Sequence, residues 1–174
     1  MQSAEYFIAA IGYRPYSGAR CLAEGMIMAD GPSPSSRTDS SASSEIRIAN
    51  RISEMERVVE VVDNFGEHHA LSNEVMVALN VSLDEILNNI ISYGYDDTAD
   101  HDIVVRIELR DGSVEVAVED DGKPFNPLLA PGPDLTAKPR HVGGVGLHFV
   151  RKLTDHLEYA RRDGMNELRF RKKL

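Results

Sequence analysis

The 174-residue chain lacks the features that mark secreted and membrane proteins. Cys21 is its only cysteine, so no internal disulfide can form and nothing indicates an oxidising compartment. No apolar run approaches the roughly 20 residues that a membrane span needs. The apolar stretch at residues 6–13 has no basic region before it and no cleavage site after it, which argues against a signal peptide. A cytoplasmic location and no membrane partner are therefore predicted.

The chain also lacks a basic excess. Its net charge is −9, and this balance argues against nucleic acid as a direct partner, because such binding needs a basic surface. Residues 151–174 are basic, but they alternate in the manner of solvated strand faces. A hydrophobic content of 42% with 27% charged residues is ordinary for a globular domain, and the chain is long enough to bury a core.

Composition divides the chain into two parts. Residues 1–28 show no sustained helical or strand period, and Gly31–Ser44 holds seven serines and two prolines. Such a segment cannot bury enough apolar surface to offset the entropy lost on ordering. Residues 1–44 are therefore predicted to be an N-terminal extension with a disordered linker, and residues 45–174 to be the folded domain.

The domain begins with a short alternating strand and continues with two helices. Asn50 is a predicted N-cap of the first helix, Ser72 caps the second, and Gly94 ends it. Two pairs of segments with alternating polar and apolar residues follow, and an Asp-Gly turn joins the members of each pair. A Pro- and Gly-rich loop and a short helix lie between the two pairs. The predicted elements are a strand at 45–49, helices at 50–67 and 73–93, strands at 103–109 and 114–118, a helix at 146–156, and strands at 157–161 and 166–171. This order predicts an α+β two-layer sandwich, with helices on one face of a mostly antiparallel mixed sheet.

The second helix carries two polar residues in an almost wholly apolar run. Glu85 and Asn89 stand four residues apart, so they project from the same face about one turn from each other. A carboxylate and an amide in this setting need partners. An isolated pair of this kind is most often hydrogen-bonded within a core, and the alternative is a metal ion or a phosphate.

Two glycine-containing runs follow. Asp120 and Gly122 stand at the end of a predicted strand, where the carboxylate could accept from a heterocycle's amino group, although such a pair is usually only a turn. Gly143-Gly144-Val145-Gly146 opens the third helix, where free backbone N–H groups and the helix dipole suit a phosphate. Glycines also begin helices for packing reasons, so neither run decides the question alone.

Together, and in this order, the three runs resemble the boxes of the GHKL ATPase superfamily, which includes histidine kinases, MutL and bacterial anti-sigma kinases. Glu85-Ile-Leu-Asn88-Asn89 resembles the N box. Asp120-Asp121-Gly122-Lys123-Pro124 and Gly143-Gly144-Val145-Gly146-Leu147 resemble the two glycine boxes, and the loop between them resembles an ATP lid. The resemblance covers residues 45–174 and is greatest for small anti-sigma kinases of the RsbW and SpoIIAB type.

The resemblance implies roles for the polar pair and the second glycine box. Asn89 would ligate a Mg²⁺ ion that bridges the triphosphate, and Glu85 would be the general base. Gly144 and Gly146 would contact phosphates at the helix N-terminus.

It also implies an adenine site. Asp120 would accept a hydrogen bond from the adenine amino group, and Gly122 would allow the ring to approach closely. Asn166, on the last strand, falls near a threonine that lies beside adenine in the family, which is a looser match.

Two positions depart from the family pattern. Val142 stands where relatives often carry arginine, and Arg140, two residues earlier, would have to reach the γ-phosphate in its place. Tyr93 stands where some relatives have histidine. Both departures are compatible with ATP binding and bear on turnover.

The resemblance implies an anti-sigma factor and serine-protein kinase that binds a sigma factor and phosphorylates a STAS-type anti-anti-sigma protein. The alternative is an ATP-binding partner-switching module with little or no phosphotransfer. A sensor histidine kinase is disfavoured, because residues 1–44 contain neither a histidine nor a helical period for a dimerisation hairpin. Relatives commonly dimerise, so a homodimer is a further implication, although no motif marks its interface.

Overall fold

The computed structural model describes residues 42–129 and 145–174. The predictions for Arg140, for Gly144 and for most of the N-terminal extension at 1–44 lie outside these residues. The last two residues of that extension, Ser43 and Ser44, belong to the first strand, which begins two residues earlier than predicted. The described elements are β1 Ser43–Ala49, α1 Met55–His68, α2 Asn73–Tyr93, β2 Asp102–Arg110, β3 Ser113–Asp120, α3 Val145–Leu153, β4 His156–Arg162 and β5 Met165–Lys173, with 3-10 turns at Ile52–Glu54 and Pro127–Leu129.

The strands form one sheet in the order β1-β2-β3-β5-β4, and each described pairing is antiparallel. Two tight hairpins set its register. Asp111 and Gly112 have φ angles of 49° and 72°, and Asp163 and Gly164 have φ angles of 51° and 86°. Positive φ at both central residues gives the type I′ turn that suits the twist of paired strands. The predicted α+β class is confirmed.

The helices cover one face of the sheet. Alternate strand residues point into a core shared with the helices, and the opposite face carries charged side chains paired across strands. Arg106 of β2, for example, pairs with Glu45 of β1 at 2.5 Å and with Glu119 of β3. The core comprises Ile46, Ile48, Val58, Val62, Phe65, Val75, Leu79, Leu83, Ile86, Leu87, Ile103, Val105, Ile107, Val114, Val116, Val118, Val150, Leu168 and Phe170.

The predicted helix signals have mixed outcomes. Ser72 is the N-cap of α2, where its Oγ accepts from the backbone N–H of Val75 at 3.4 Å, and Gly94 ends that helix. The prediction that Asn50 caps the first helix is wrong, because α1 begins only at Met55. The Asn50 side chain is used elsewhere, since its Nδ2 donates to the carbonyl of Ala99 and its Oδ1 accepts from the N–H of His101. These bonds hold the end of β1 to the segment before β2.

Among the described helices, α2 alone is long and apolar enough to cross a membrane by length and composition, which differs from the expectation that no apolar run approaches that length. Eight of its residues are buried within the fold, so α2 is accounted for as a core helix: Val75, Ala78, Leu79, Asn80, Ser82, Leu83, Ile86 and Leu87.

Candidate functional site

Asp120 is a buried carboxylate at the end of β3. It is 5% exposed, and its Oδ1 accepts from the backbone N–H of Gly122 and from Nδ2 of Asn166, each at 2.8 Å. Burial raises the pKa of the Asp120 carboxyl, and these two hydrogen bonds oppose the rise in part. Because an ionised carboxylate only accepts hydrogen bonds, the position is suited to a ligand that donates.

Gly122 is required by close packing. A Cβ at this position would lie 2.7 Å from Oδ1 of Asp120 and 2.8 Å from the carbonyl oxygen of Gly94. The next residue, Lys123, donates its backbone N–H to the same carbonyl at 2.7 Å. The end of α2 is thereby joined to the loop that follows β3, and the first glycine box lies against the residue that closes the N-box helix.

Asn89 and Glu85 lie on the partly buried face of the last turns of α2. Nδ2 of Asn89 donates to the backbone carbonyl of Glu85 at 2.5 Å, which leaves Oδ1 without a donor among the described residues. Burial, followed by the charge of Asp84, raises the pKa of the Glu85 carboxyl. The face therefore presents an amide oxygen and a carboxylate of increased basicity.

The beginning of α3 packs on Glu85. A Cβ on Gly146 would lie 1.6 Å from Oε2 and 2.1 Å from Cδ of Glu85, so any larger residue would have to displace this carboxylate. The second glycine box is thus in contact with the N box, as three motifs acting in one site would require.

Asn166 of β5 stands directly opposite Asp120 in the strand register. Its Oδ1 accepts from the hydroxyl of Tyr159 at 2.7 Å and from Nη1 of Arg161 at 2.5 Å. Nη1 of Arg161 also donates to the carbonyl of Gly122 at 2.9 Å. The sequence interpretation missed Tyr159 and Arg161, although the Asp-Gly turn before β5 sets the register that brings Arg161 opposite Asn166.

A short loop after α2 contacts the first glycine box. Tyr95 stacks on His101 with ring centroids 4.2 Å apart. Nε2 of His101 lies 2.9 Å from Oδ1 of Asp97, and Nδ1 lies 3.0 Å from Oδ1 of Asp121. The hydrogen bonds to Asp97 and Asp121 raise the pKa of His101. This loop, which no motif had indicated, supports the first glycine box through the neighbour of Asp120.

The structure brings most predicted site residues together in two groups. Glu85, Asn89 and Gly146 form one group at α2 and α3. Asp120, Gly122 and Asn166 form the other at the ends of β3 and β5. The bond from Lys123 to Gly94 joins the two.

Comparison with known proteins identifies the family of the chain. The model of the histidine kinase-like ATPase domain matches residues 48–172, and binding of ATP is implied by that domain. The chain belongs to this family. It is 35% identical over 110 residues to the serine/threonine-protein kinase BtrW of Bordetella bronchiseptica, covering 59% of this chain and 76% of that kinase. This relationship confirms the resemblance to RsbW-type kinases of the GHKL superfamily.

A solved structure shows the same fold. The RsbU and RsbW domains of a protein from Mycobacterium tuberculosis align with a TM-score of 0.56 at 17% identity. The alignment covers 76% of this chain and 32% of the other, so the present chain spans about a third of that larger protein.

The contact between Gly146 and Glu85 predicts an energetic coupling between the two residues. Gly146→Ala should lower the free energy of unfolding by up to about 1 kcal/mol, because the new methyl group must displace the Glu85 carboxylate from its partly buried position. In a Glu85→Ala background the same change should be neutral or slightly stabilising, since alanine is the better helix former. Urea unfolding of the four proteins of this double-mutant cycle measures the coupling. An equal cost in both backgrounds would contradict the contact.

Burial of Asp120 predicts a pH-dependent stability. Because the folded-state pKa is raised above 3.8, the folded protein holds this proton to higher pH than the unfolded chain does. The stability that Asp120 contributes is therefore lost as the pH rises from about 4 through the raised folded-state pKa. Asp120→Asn keeps an Oδ1 acceptor for both hydrogen bonds and carries no charge.

The free energy of unfolding of Asp120→Asn, relative to wild type, should therefore increase between about pH 4 and about pH 7. The exposed carboxylate Asp96 provides a matched control in Asp96→Asn. A difference between Asp120→Asn and wild type that does not change with pH would count against a desolvated carboxylate.

Proposed function

We propose that this protein is an ATP-dependent serine-protein kinase and anti-sigma factor, which sequesters a sigma factor and phosphorylates a STAS-type anti-anti-sigma protein. The observation that carries the proposal is the packing of Gly146, in the first turn of α3, against the Glu85 carboxylate. A helix N-terminus attracts phosphate, so a γ-phosphate held there would lie near the group suited to accept a proton. Relationship to a protein named as a serine/threonine-protein kinase supports the kinase part of the proposal.

The adenine end of ATP is assigned to the Asp120 group. The ionised carboxylate accepts from the exocyclic amino group, and the absence of a side chain at Gly122 lets the ring approach. Asn166 lies beside Asp120 and holds it through Nδ2.

The triphosphate end is assigned to the residues of α2 and α3, with Gly144 and Arg140 completing it from the segment before α3. No group of three or more His, Cys, Asp or Glu side chains in the described residues is arranged to hold a metal ion. Mg²⁺ suits this setting because it takes few protein ligands, with phosphate oxygens and water completing its octahedron. The Asn89 Oδ1 is the oxygen that fits it, and the ion would supply neutralisation of phosphate charge.

In the proposed reaction, Glu85 accepts the proton of a serine hydroxyl on the partner protein. The serine oxygen forms a bond to the γ-phosphorus while the bond from that phosphorus to the β,γ-bridging oxygen breaks, which releases ADP and a phosphoserine. Burial favours this role because it raises the pKa of Glu85 and so makes its carboxylate the stronger base. Stabilisation of the developing phosphoryl charge would come from the helix N-terminus and Arg140.

The proposed protein acts in the cytoplasm, and phosphorylation of the STAS protein leads to an exchange of partners. ATP-bound protein would hold the sigma factor, and the unphosphorylated STAS protein would compete for it until its serine is phosphorylated. The proposal includes a homodimer, because the relatives that the sequence resembles commonly dimerise.

Phosphotransfer should depend on Glu85. With radiolabelled ATP and a co-encoded STAS protein, wild type should label a serine of that protein. Glu85→Gln should lower the rate by at least about 100-fold, because it removes the general base. It should leave ADP affinity nearly unchanged, since the base takes no part in binding.

Glu74→Gln is the matched control, because it removes an exposed carboxylate from the first turn of the same helix, away from Glu85. It should retain labelling. Normal ATP binding by wild type without any labelled serine would favour the alternative, an ATP-dependent interaction module without turnover.

A further inference from the structure

Three polar side chains from three neighbouring strands form one row across the sheet. Asp120 of β3 is registered opposite Asn166 of β5, which is opposite Arg161 of β4. In the other direction the row continues to Ile103 and then Ile48, both buried. Directly opposed residues of antiparallel strands are near neighbours, so the row runs from the core to the exposed Arg161 as one contact chain.

The orientation of the Asn166 amide is set by its neighbours. Its Oδ1 accepts from both the Tyr159 hydroxyl and Nη1 of Arg161. A flipped amide would place an NH₂ group against these two donors, so Nδ2 must face Asp120, to which it donates at 2.8 Å. Nδ2 also lies 3.0 Å from the carbonyl of Lys123. The protein itself therefore occupies both ends of this amide.

One oxygen of Asp120 is occupied in consequence. Oδ1 receives the bonds from Asn166 and from Gly122, whereas Oδ2 receives none from the described part of the chain. Guanine offers two adjacent donors, N1–H and the 2-amino group, which match a carboxylate with both oxygens free. Adenine offers its 6-amino group as a single donor, which one free oxygen satisfies.

We propose that Tyr159, Arg161 and Asn166 are positioning residues that hold Asp120 for recognition of a single donor and so set a preference for adenine over guanine nucleotides. This inference rests on the proposed binding of ATP at Asp120. None of the three residues needs to touch the base. They act by keeping Oδ1 of Asp120 occupied, so that Oδ2 is the oxygen that accepts from the base.

Isothermal titration of ADP and GDP tests the proposal through the ratio of their dissociation constants. Wild type should bind ADP more tightly than GDP. Asn166→Ala should weaken ADP binding by about tenfold, the effect of losing a hydrogen bond to a charged group. The same change frees Oδ1 for guanine, so the preference for ADP should narrow. Tyr159→Phe and Arg161→Met should narrow it in the same direction to a smaller extent.

Arg162→Met is the matched control. It removes the same charge from the adjacent exposed position of β4, which is registered opposite Met165 and takes no part in the row. The ratio should stay at its wild-type value. Asn166→Thr should restore part of the preference lost in Asn166→Ala, since its hydroxyl can donate to Oδ1.

The outcomes separate the inference from the function beneath it. An unchanged ratio of the two dissociation constants in all three variants, including one that results from equal weakening of ADP and GDP, would overturn the inference. It would leave the proposed binding of ATP intact. Failure of wild type to bind ADP would overturn both. If Asn166→Ala does not fold, Arg161→Met and Tyr159→Phe decide the question by the same ratio, because Arg161 is the exposed end of the row and Tyr159 is only partly buried.

Discussion

The burial of α2 against the sheet is the constraint on which the site depends. One face of the helix lies in the core through residues such as Leu79 and Leu83, while Glu85 and Asn89 lie on a partly buried face beside it. A helix held so firmly gives these two side chains fixed positions. Since Gly94 at its end accepts the N–H of Lys123, the position of α2 also fixes the first glycine box. A shift of this helix would therefore disturb both halves of the site together.

The electrostatics of the site follow from the same burial. Taking a carboxylate out of water is costly unless hydrogen bonds replace its hydration. Asp120 has two such bonds, both on one oxygen, and its pKa remains raised, so the replacement is incomplete. A donating ligand would complete it. Glu85 is likewise desolvated, with the charge of Asp84 as a second cause of its raised pKa. Both carboxylates thus interact more favourably with a donor or proton than they would in water.

Much of the fold could be predicted from local patterns, because those patterns have local causes. Alternating residues and Asp-Gly turns determined β2, β3 and the last hairpin, and Ser72 and Gly94 marked the ends of α2. Asn50 misled because a side chain that can cap a helix can equally bind a distant loop, and only the tertiary fold decides between them. The support of Asp120 by Tyr159 and Arg161 was missed for a similar reason. It needs β5 to lie between β3 and β4, an order that hairpin signals do not specify.

The glycines of the two boxes have a common physical explanation in this chain. Each stands in contact with a site carboxylate: Gly122 with Asp120, and Gly146 with Glu85. In neither case is left-handed backbone geometry involved, since the glycines with positive φ in the described residues are Gly112 and Gly164 at the hairpin turns. The requirement is space, because any Cβ would displace the carboxylate that the chemistry uses. At such a position, the carboxylate in contact with the residue accounts for the choice of glycine. The motif spacing therefore reflects pairwise contacts in the folded site, and phosphate binding alone does not account for it.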